Sequence, residues 1–400
     1  MDKLRVGILG LGRGLSHLRN FISLDNAEVI GAADQIEKWR SRARESVGDH
    51  PVKIVNEFED LLAMEPDAIV VATNGRMQAG HAVQALNAGC HVMSEVPGAF
   101  THEEINHIVL AVERNEKQYM LAENSCYLDF LRYWRKWILE GRLGPVAFAE
   151  GEYLHYLPNS MILPDRTKVT PDQVREQNLQ NVRPLWRADQ PPIQYLTHDL
   201  GPLLNVLDDK VVSVTCQSGP YWCSQAPLRT DGQIGLFQTA KGALIKIMVT
   251  LNTRRPSSHN YRIFGIDGSA EWYTHEGFCR LFYGDREERE GWLRVDIGTA
   301  AREADKKAGH GGTDIGTART FTDAILAGRH VPIDVFRMAD FTLPGILANR
   351  SAEIGGQPIT VPDLRREPFA GTDFWDHVGL PDHAPEEQDF RLATEARTTR

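Results

Sequence analysis

Residues Leu4 to Leu9 form a short apolar run that breaks into Gly10-Leu11-Gly12-Arg13-Gly14, and the next apolar run, from Ala27, closes on the acidic Asp34. Nothing else in the chain restricts the fold as tightly. Strand, glycine turn, helix, strand and carboxylate is the order in which a parallel sheet grips a dinucleotide. Glycine at 10 permits a tight turn, and glycine at 12 lets backbone N–H groups approach a pyrophosphate. The following helix aims its positive end at the phosphates. Leu15 stands where the third glycine of the fingerprint is expected, with Gly14 one place early. Asp34, about 20 residues beyond the glycines, is placed to accept hydrogen bonds from the adenosine ribose. Its charge repels a 2′-phosphate, which favours NAD over NADP.

Apolar runs and helix-like stretches alternate through the first third of the chain. Strands are expected at Leu4 to Leu9, Ala27 to Ala33, Val52 to Val55, Ala68 to Ala72, His91 to Ser94 and Tyr119 to Ala122. Helices such as Met77 to Ala88 and Glu103 to Asn115 lie between them. This order predicts an α/β architecture, with an N-terminal Rossmann domain whose doubly wound parallel sheet binds ligand at the carboxyl ends of its strands.

After a helix at Phe130 to Glu140 the pattern changes to longer β runs: Val146 to Tyr156, Val211 to Cys216, Gly235 to Thr239, Ala243 to Leu251, Tyr261 to Phe264 and Ala270 to Thr274. Short turns between them imply a C-terminal α+β domain on a largely antiparallel open sheet. Pro158 to Pro192 has many prolines and charges without periodicity, and loops this long are usually functional or disordered. Helical spacing returns at Thr313 to Leu326 and Val335 to Ala352. The expected division is 1–125 for the NAD-binding domain, 126–365 for the substrate-binding domain and 366–400 for a C-terminal extension. Helices near 313–352 are expected to pack back on the first domain, and the extension to wrap the surface or an oligomeric partner.

The chain's 400 residues exceed what one core usually organises. A net charge of −10 argues against nucleic acid as a partner. Cys90, Cys126, Cys216, Cys223 and Cys279 are odd in number and lack C-x-x-C spacing, which suits reduced thiols in a cytoplasmic protein. No metal-ligand spacing stands out, so no metal is expected. The first strand begins too early for a signal sequence, and no apolar run approaches the ~20 residues of a membrane span.

Several further stretches carry a resemblance. They are Val70-Val71-Ala72-Thr73-Asn74, Ala85-Leu86-Asn87-Ala88-Gly89-Cys90-His91-Val92, Ser94-Glu95-Val96-Pro97 and Leu139-Glu140-Gly141-Arg142-Leu143-Gly144-Pro145-Val146. With the glycine turn they resemble the glucose-fructose oxidoreductase, inositol dehydrogenase and MocA family of NAD(P)-dependent sugar enzymes. The resemblance implies cofactor contacts from Gly10, Gly12, Arg13, Gly14, Leu15, Asp34, Thr73, Asn74, Glu95 and Pro97, a carbohydrate substrate, and a homodimer or homotetramer. The family's usual Glu-Lys-Pro lysine is Val96 here, and a histidine common a few residues beyond the Thr-Asn turn is Gln78. Dehydrogenation needs a base for the alcohol proton, so another residue must serve.

Tyr153-Leu154-His155 and Tyr195-Leu196-Thr197-His198, followed by Asp199-Leu200-Gly201-Pro202, are similar to the signatures of the NAD-dependent α-N-acetylgalactosaminidases within that family. His310-Gly311-Gly312-Thr313-Asp314 and Ile359-Thr360-Val361-Pro362-Asp363 are similar to the same subgroup. Those enzymes cleave glycosides by a redox detour: hydride leaves C3, the ketone acidifies C2–H, the leaving group is eliminated, water adds and the hydride returns. Two other readings stand beside this one: a simple NAD-dependent sugar or polyol dehydrogenase, and an NAD-binding regulatory protein without turnover.

The detour needs a base at the C3 hydroxyl, a base for a carbon acid and a donor to the leaving oxygen. Tyrosine and histidine suit these tasks because burial and neighbours tune their proton affinities. Tyr153 and His155, two apart on a strand, project from one face. Tyr195 and His198 share a face if Tyr195 to Leu207 is one helix. The candidate catalytic residues are therefore His198, Tyr195, His155, Tyr153 and Asp199. Asp199 has a second alignment, to the aspartate of the Asp-x-Gly-x-His found in most of the family, with Leu203 in place of its histidine. Tyr127, Trp186, Arg187 and His310 are candidates to touch the substrate, although His310 equally reads as a turn ahead of a helix.

Overall fold

The computed structural model describes residues 3–158, 160–284, 291–297 and 309–390. Six strands, β1 (Leu4–Leu9), β2 (Ala27–Ala33), β3 (Lys53–Val55), β4 (Ala68–Val71), β5 (His91–Ser94) and β6 (Tyr119–Leu121), form one parallel sheet. Helices α1 (Gly14–Ile22), α2 (Glu37–Val47), α3 (Phe58–Leu62), α4 (Gly75–Asn87) and α5 (His102–Asn115) connect them. The strand order β3-β2-β1-β4-β5-β6 reverses between β1 and β4, which opens a ligand crevice at their carboxyl ends. Strands β4 and β6 are buried along their whole length, as a parallel sheet covered on both faces requires.

At the reversal, Gly10 has φ +86°, and a Cβ there would lie 2.7 Å from the Ala72 carbonyl oxygen. Only glycine fits. A Cβ on Gly14 would meet Ile8 at 3.1 Å, so Gly14, and not position 15, provides the close helix–strand contact of the third glycine. Leu15 packs against the core beside it.

Helix α6 (Asp129–Leu139) leads into β7 (Val146–Leu154). The stretch read as aperiodic holds β8 (Met161–Ile162), β9 (Lys168–Val169), α7 (Pro171–Glu176) and β10 (Arg183–Pro184), with the strands paired into a small flap. These elements are too short to show a period in sequence. Next come α8 (Thr197–Leu207), β11 (Val211–Ser218), β12 (Gly232–Thr239), β13 (Leu244–Thr250), β14 (Ser258–Gly265), β15 (Gly268–Tyr273), β16 (Cys279–Tyr283) and β17 (Trp292–Asp296). The described chain ends with α9 (Thr313–Leu326), α10 (Val335–Glu353), β18 (Ile359–Thr360), α11 (Phe374–Val378) and β19 (Glu386–Phe390).

Ten of these strands form an open sheet in the order β18-β11-β12-β13-β7-β14-β15-β16-β17-β19. Every pair is antiparallel except β13 with β7. The α/β class, the parallel Rossmann sheet and the largely antiparallel second sheet agree with the sequence. The tail differs from its expectation. Instead of only wrapping the surface, Glu386–Phe390 pairs with β17 and covers a sheet edge that would otherwise expose its N–H and C=O groups. Residues 391–400 lie outside the described residues.

Residues Ile245, Ile247 and Val249 alternate inward on β13, and α8 and α10 cover that face of the sheet. Helix α9 lies against α1, and α10 against α5. Among the described residues no helix is long and apolar enough to cross a membrane.

Candidate active site

A cleft of about 1530 Å³ runs between the glycine turn and the large sheet. Gly10, Gly12, Arg13, Asp34, Thr73, Asn74 and Glu95 line its Rossmann side. A Cβ on Gly12 would meet nothing within 4 Å, so the turn faces open space where a ligand can approach the backbone. Asp34 is held by the Leu11 N–H at 2.7 Å and the Ile36 N–H at 2.8 Å, which fixes its carboxylate beside the turn. Asn74 caps α4 by accepting from the Arg76 N–H at 3.1 Å. This cradle fits a dinucleotide.

Three residues expected at the cofactor lie off the lining. Gly14 faces Ile8 of the sheet, Leu15 packs half-buried on the core, and Pro97 spends its carbonyl on the Thr342 hydroxyl at 2.8 Å. Val96 lines the cleft and offers no proton. Gln78 clamps the turn after it, donating to the Val96 carbonyl at 3.3 Å and accepting from the Gly98 N–H at 3.2 Å.

Arg13 ties the glycine turn to α9, lying 2.8 Å from Glu95 and 2.8 Å from Asp314. Burial alone would raise the Glu95 carboxyl, but the hydrogen bond from His17 at 2.6 Å and the Arg13 charge outweigh it and hold Glu95 at about 2. Burial opposes ionisation of Asp314 too, yet His310 and Arg13 keep it well below the usual range. His310 joins both expected roles, lining the cleft while its Nδ1 sits 3.0 Å from Asp314. Tyr127 does not reach the cleft. Its hydroxyl bonds Thr320 at 2.6 Å and its ring packs on Phe374.

At the other end the cleft is walled by Tyr153, His155, Tyr195, His198, His259, Trp186 and Arg187. Tyr195 and His198 do not share one helix: Pro192–Tyr195 is a 3₁₀ turn and α8 begins at Thr197. Their rings still meet, with centroids 5.2 Å apart. Tyr153 stacks on His155 at 4.0 Å and lies edge-on to Tyr195 at 5.1 Å.

His198 Nδ1 lies 2.7 Å from Glu123 Oε1, and the carboxylate behind it is fully buried. Burial works against a charged His198, but Glu123 more than compensates and raises its pKa above the ordinary value. A second pair repeats the design. His259 Nδ1 lies 3.2 Å from Asp199 Oδ1, and His259 Nε2 faces His155 Nε2 at 3.4 Å. Burial, with the neighbouring His259 and His198, pushes His155 down to about 4. Asp199, expected at the substrate, is fully buried behind His259; the imidazole beside it comes from β14, not from helix position 203.

Burial raises the Tyr153 and Tyr195 phenols, Tyr153 well above 10. The Arg187 guanidinium donates to the Tyr195 oxygen at 2.5 Å.

Sequence reasoning missed Glu123, His259 and Tyr261. Glu123 follows β6 as Glu95 follows β5, so the rule that ligands gather at strand carboxyl ends pointed to it. His259 pairs across from Tyr153 in the sheet. Starting β14 at Tyr261 cut off the inward position two residues earlier.

The glycine cradle, its carboxylate and the acid–base groups facing them define an NAD-dependent oxidoreductase-type enzyme. Residues 4–123 match the oxidoreductase family with an NAD-binding Rossmann fold, and residues 229–370 match the glycosyl hydrolase 109 C-terminal domain. The chain belongs to the glucose-fructose oxidoreductase, inositol dehydrogenase and MocA family, within the branch that carries this second domain. It is 25% identical over 410 residues to a glycosyl hydrolase family 109 protein of Shewanella sp. (strain W3-18-1), covering 92% of this chain and 86% of the relative. It is likewise 25% identical over 426 residues to glycosyl hydrolase family 109 protein 1 of Bacteroides fragilis (strain YCH46), with the same coverage of 92% and 86%. A levoglucosan dehydrogenase in complex with NADH and L-sorbose has the same fold, with a TM-score of 0.75, 20% identity, and coverage of 91% of this chain and 100% of that one.

Proposed function

We propose that the chain cleaves a glycoside through transient oxidation of the sugar ring, in place of the two-carboxylate route of most glycosidases. One observation carries this reading. Two carboxylate–imidazole pairs, Glu123–His198 and Asp199–His259, serve one cleft that also holds the dinucleotide cradle. Plain dehydrogenation asks for a single base, whereas the detour also needs a base at a carbon acid and a donor to the leaving oxygen. The relatives named glycosyl hydrolase family 109 proteins support the same conclusion.

A bound NAD would supply the hydride acceptor, and later the donor, for C3. Gly10, Gly12 and Asp34 would hold it, and Arg13 with Glu95 closes its side of the cleft. His198, backed by Glu123, takes the C3 hydroxyl proton. His155 and His259 are the acceptors for the acidified C2 proton, since His155 stays neutral and Asp199 steadies His259. Tyr153 keeps its proton to far higher pH than an ordinary phenol, which makes it a donor to the leaving oxygen rather than a base.

Pure protein incubated with nitrophenyl glycosides, with and without added NAD, tests the reading. Nitrophenol release without NADH accumulation is expected. Stoichiometric NADH with no nitrophenol would make the chain a dehydrogenase instead.

A further inference from the structure

The carboxylates of the cleft are all engaged. Glu95 takes Arg13 and His17, Asp189 takes Arg76, and Asp34 accepts two backbone N–H groups. The cations are not matched in the same way. Arg166, Lys168, Arg183 and Arg187 all line the cleft from the flap segment, and none has a carboxylate partner among the described residues.

These four divide by position. Arg166 neighbours Asp165, whose carbonyl accepts from Lys38 on α2 at 3.3 Å, so it belongs to the adenosine end. Arg187 belongs to the reaction end, where its guanidinium lies 4.8 Å over the Trp186 ring and 5.0 Å over the Tyr195 ring. Its Nε is buried and makes no hydrogen bond. The ring faces attract this charge but do not neutralise it.

Arg187 is also built into place. Arg229, 3% exposed, donates to the Arg187 carbonyl, to the Leu157 carbonyl at 2.7 Å and to Asn252 Oδ1 at 2.9 Å. Burial works against the Arg187 charge, and what offsets it is the Tyr195 and Tyr153 oxygens and the more distant Glu95 rather than a paired carboxylate, which leaves the contact position open to an acid group of a ligand. Lys168 feels the same surplus: burial, then the Arg187 charge, push its ammonium below the ordinary value.

We propose that the substrate is an anionic sugar, whose carboxylate, or a sulfate or phosphate ester in its place, is taken by the Arg187 guanidinium with Lys168 close by. A planar guanidinium matches two acid oxygens at once. Arg183 at the rim adds to a field that draws an anion inward. This inference rests on reading the cleft as a glycoside site.

The test compares kcat/KM for nitrophenyl glucuronide and galacturonide, and for 6-sulfated and 6-phosphorylated nitrophenyl glycosides, with the neutral glucoside, galactoside and N-acetylgalactosaminide. An acid group should raise kcat/KM roughly 10- to 100-fold, and the best acid identifies its source. Arg187→Met should abolish this preference, and Lys168→Met, at an exposed position, should reduce the charged-to-neutral ratio with the fold intact. Calorimetric titration of glucuronate, glucose 6-sulfate, glucose 6-phosphate and glucose into the NADH-loaded protein is independent of turnover. Selective binding of a charged sugar without nitrophenol release from any glycoside would uphold the anion site and sink the glycosidase reading. Equal or tighter handling of neutral sugars, no charged-sugar binding at millimolar concentration, or an Arg187→Met variant that loses NADH affinity instead would overturn the proposal.

Discussion

The Tyr261 hydroxyl donates a 2.7 Å hydrogen bond to the backbone carbonyl of His198. That carbonyl is free because the residue four positions on, Pro202, lies inside α8 and has no N–H to give. Gly201 beside it is equally constrained, since a Cβ there would press on the Phe341 ring at 3.0 Å. The Gly-Pro pair is therefore a local break in the helix that a strand residue fills, fixing the turn on which His198 stands.

Removing that hydroxyl should expose the break. Tyr261→Phe leaves a buried carbonyl unpaired and should cost about 1–3 kcal/mol in denaturant unfolding. Pro202→Ala in the Tyr261→Phe background restores an N–H four residues on and should recover part of the loss.

The two glycines of the turn should fail differently. Gly10→Ala puts a side chain at positive φ against the Ala72 carbonyl and should lower stability by roughly 1–3 kcal/mol. Gly12→Val points into open cleft, so melting should change little while NADH fluorescence titration shows binding lost.

His198 must be neutral to accept a proton, and its pKa lies above the ordinary 6.5 because of Glu123. Activity should rise with pH along a limb above 6.5. Glu123→Gln should move that limb to lower pH, whereas His198→Ala should cut kcat by roughly 100- to 10,000-fold. A limb that stays put in Glu123→Gln would separate the pair from the chemistry.

Glu95 gives a stability signature at acid pH. Its folded pKa of about 2 lies below the ordinary 4.5, so its contribution is complete above 4.5 and is lost as pH falls toward 2. The difference corresponds to about 3 kcal/mol. Unfolding free energies measured across that window should fall less steeply for Glu95→Gln.

The Rossmann half was legible because its signals are local. A glycine turn, a carboxylate at a strand end and buried β-branched runs each report on their own few residues, and all six strands, from Leu4–Leu9 to Tyr119–Leu121, fall within a residue of where the pattern put them. The flap β8–β10 and the strands β16 to β19 were not legible. Elements of two residues show no period, and an edge strand such as β19 is defined by the neighbour it pairs with, Trp292–Asp296.

The sequence alone pointed to the glycine cradle, to the Tyr153–His155 face and to a His198 that the structure places on the same cleft as the glycine turn. Tertiary structure decided how the protons are handled. Glu123 reaches His198 across 75 residues, and Asp199 reaches His259 across 60. Such pairs leave no mark in spacing, because a hydrogen bond between strand ends and a helix depends on where the backbone returns and not on how many residues separate its partners. The same holds for Tyr127, turned toward Thr320 by the arrival of α9 and α11. It holds too for Arg187, whose want of a paired carboxylate becomes visible only once the carboxylates of the cleft are seen to be engaged elsewhere.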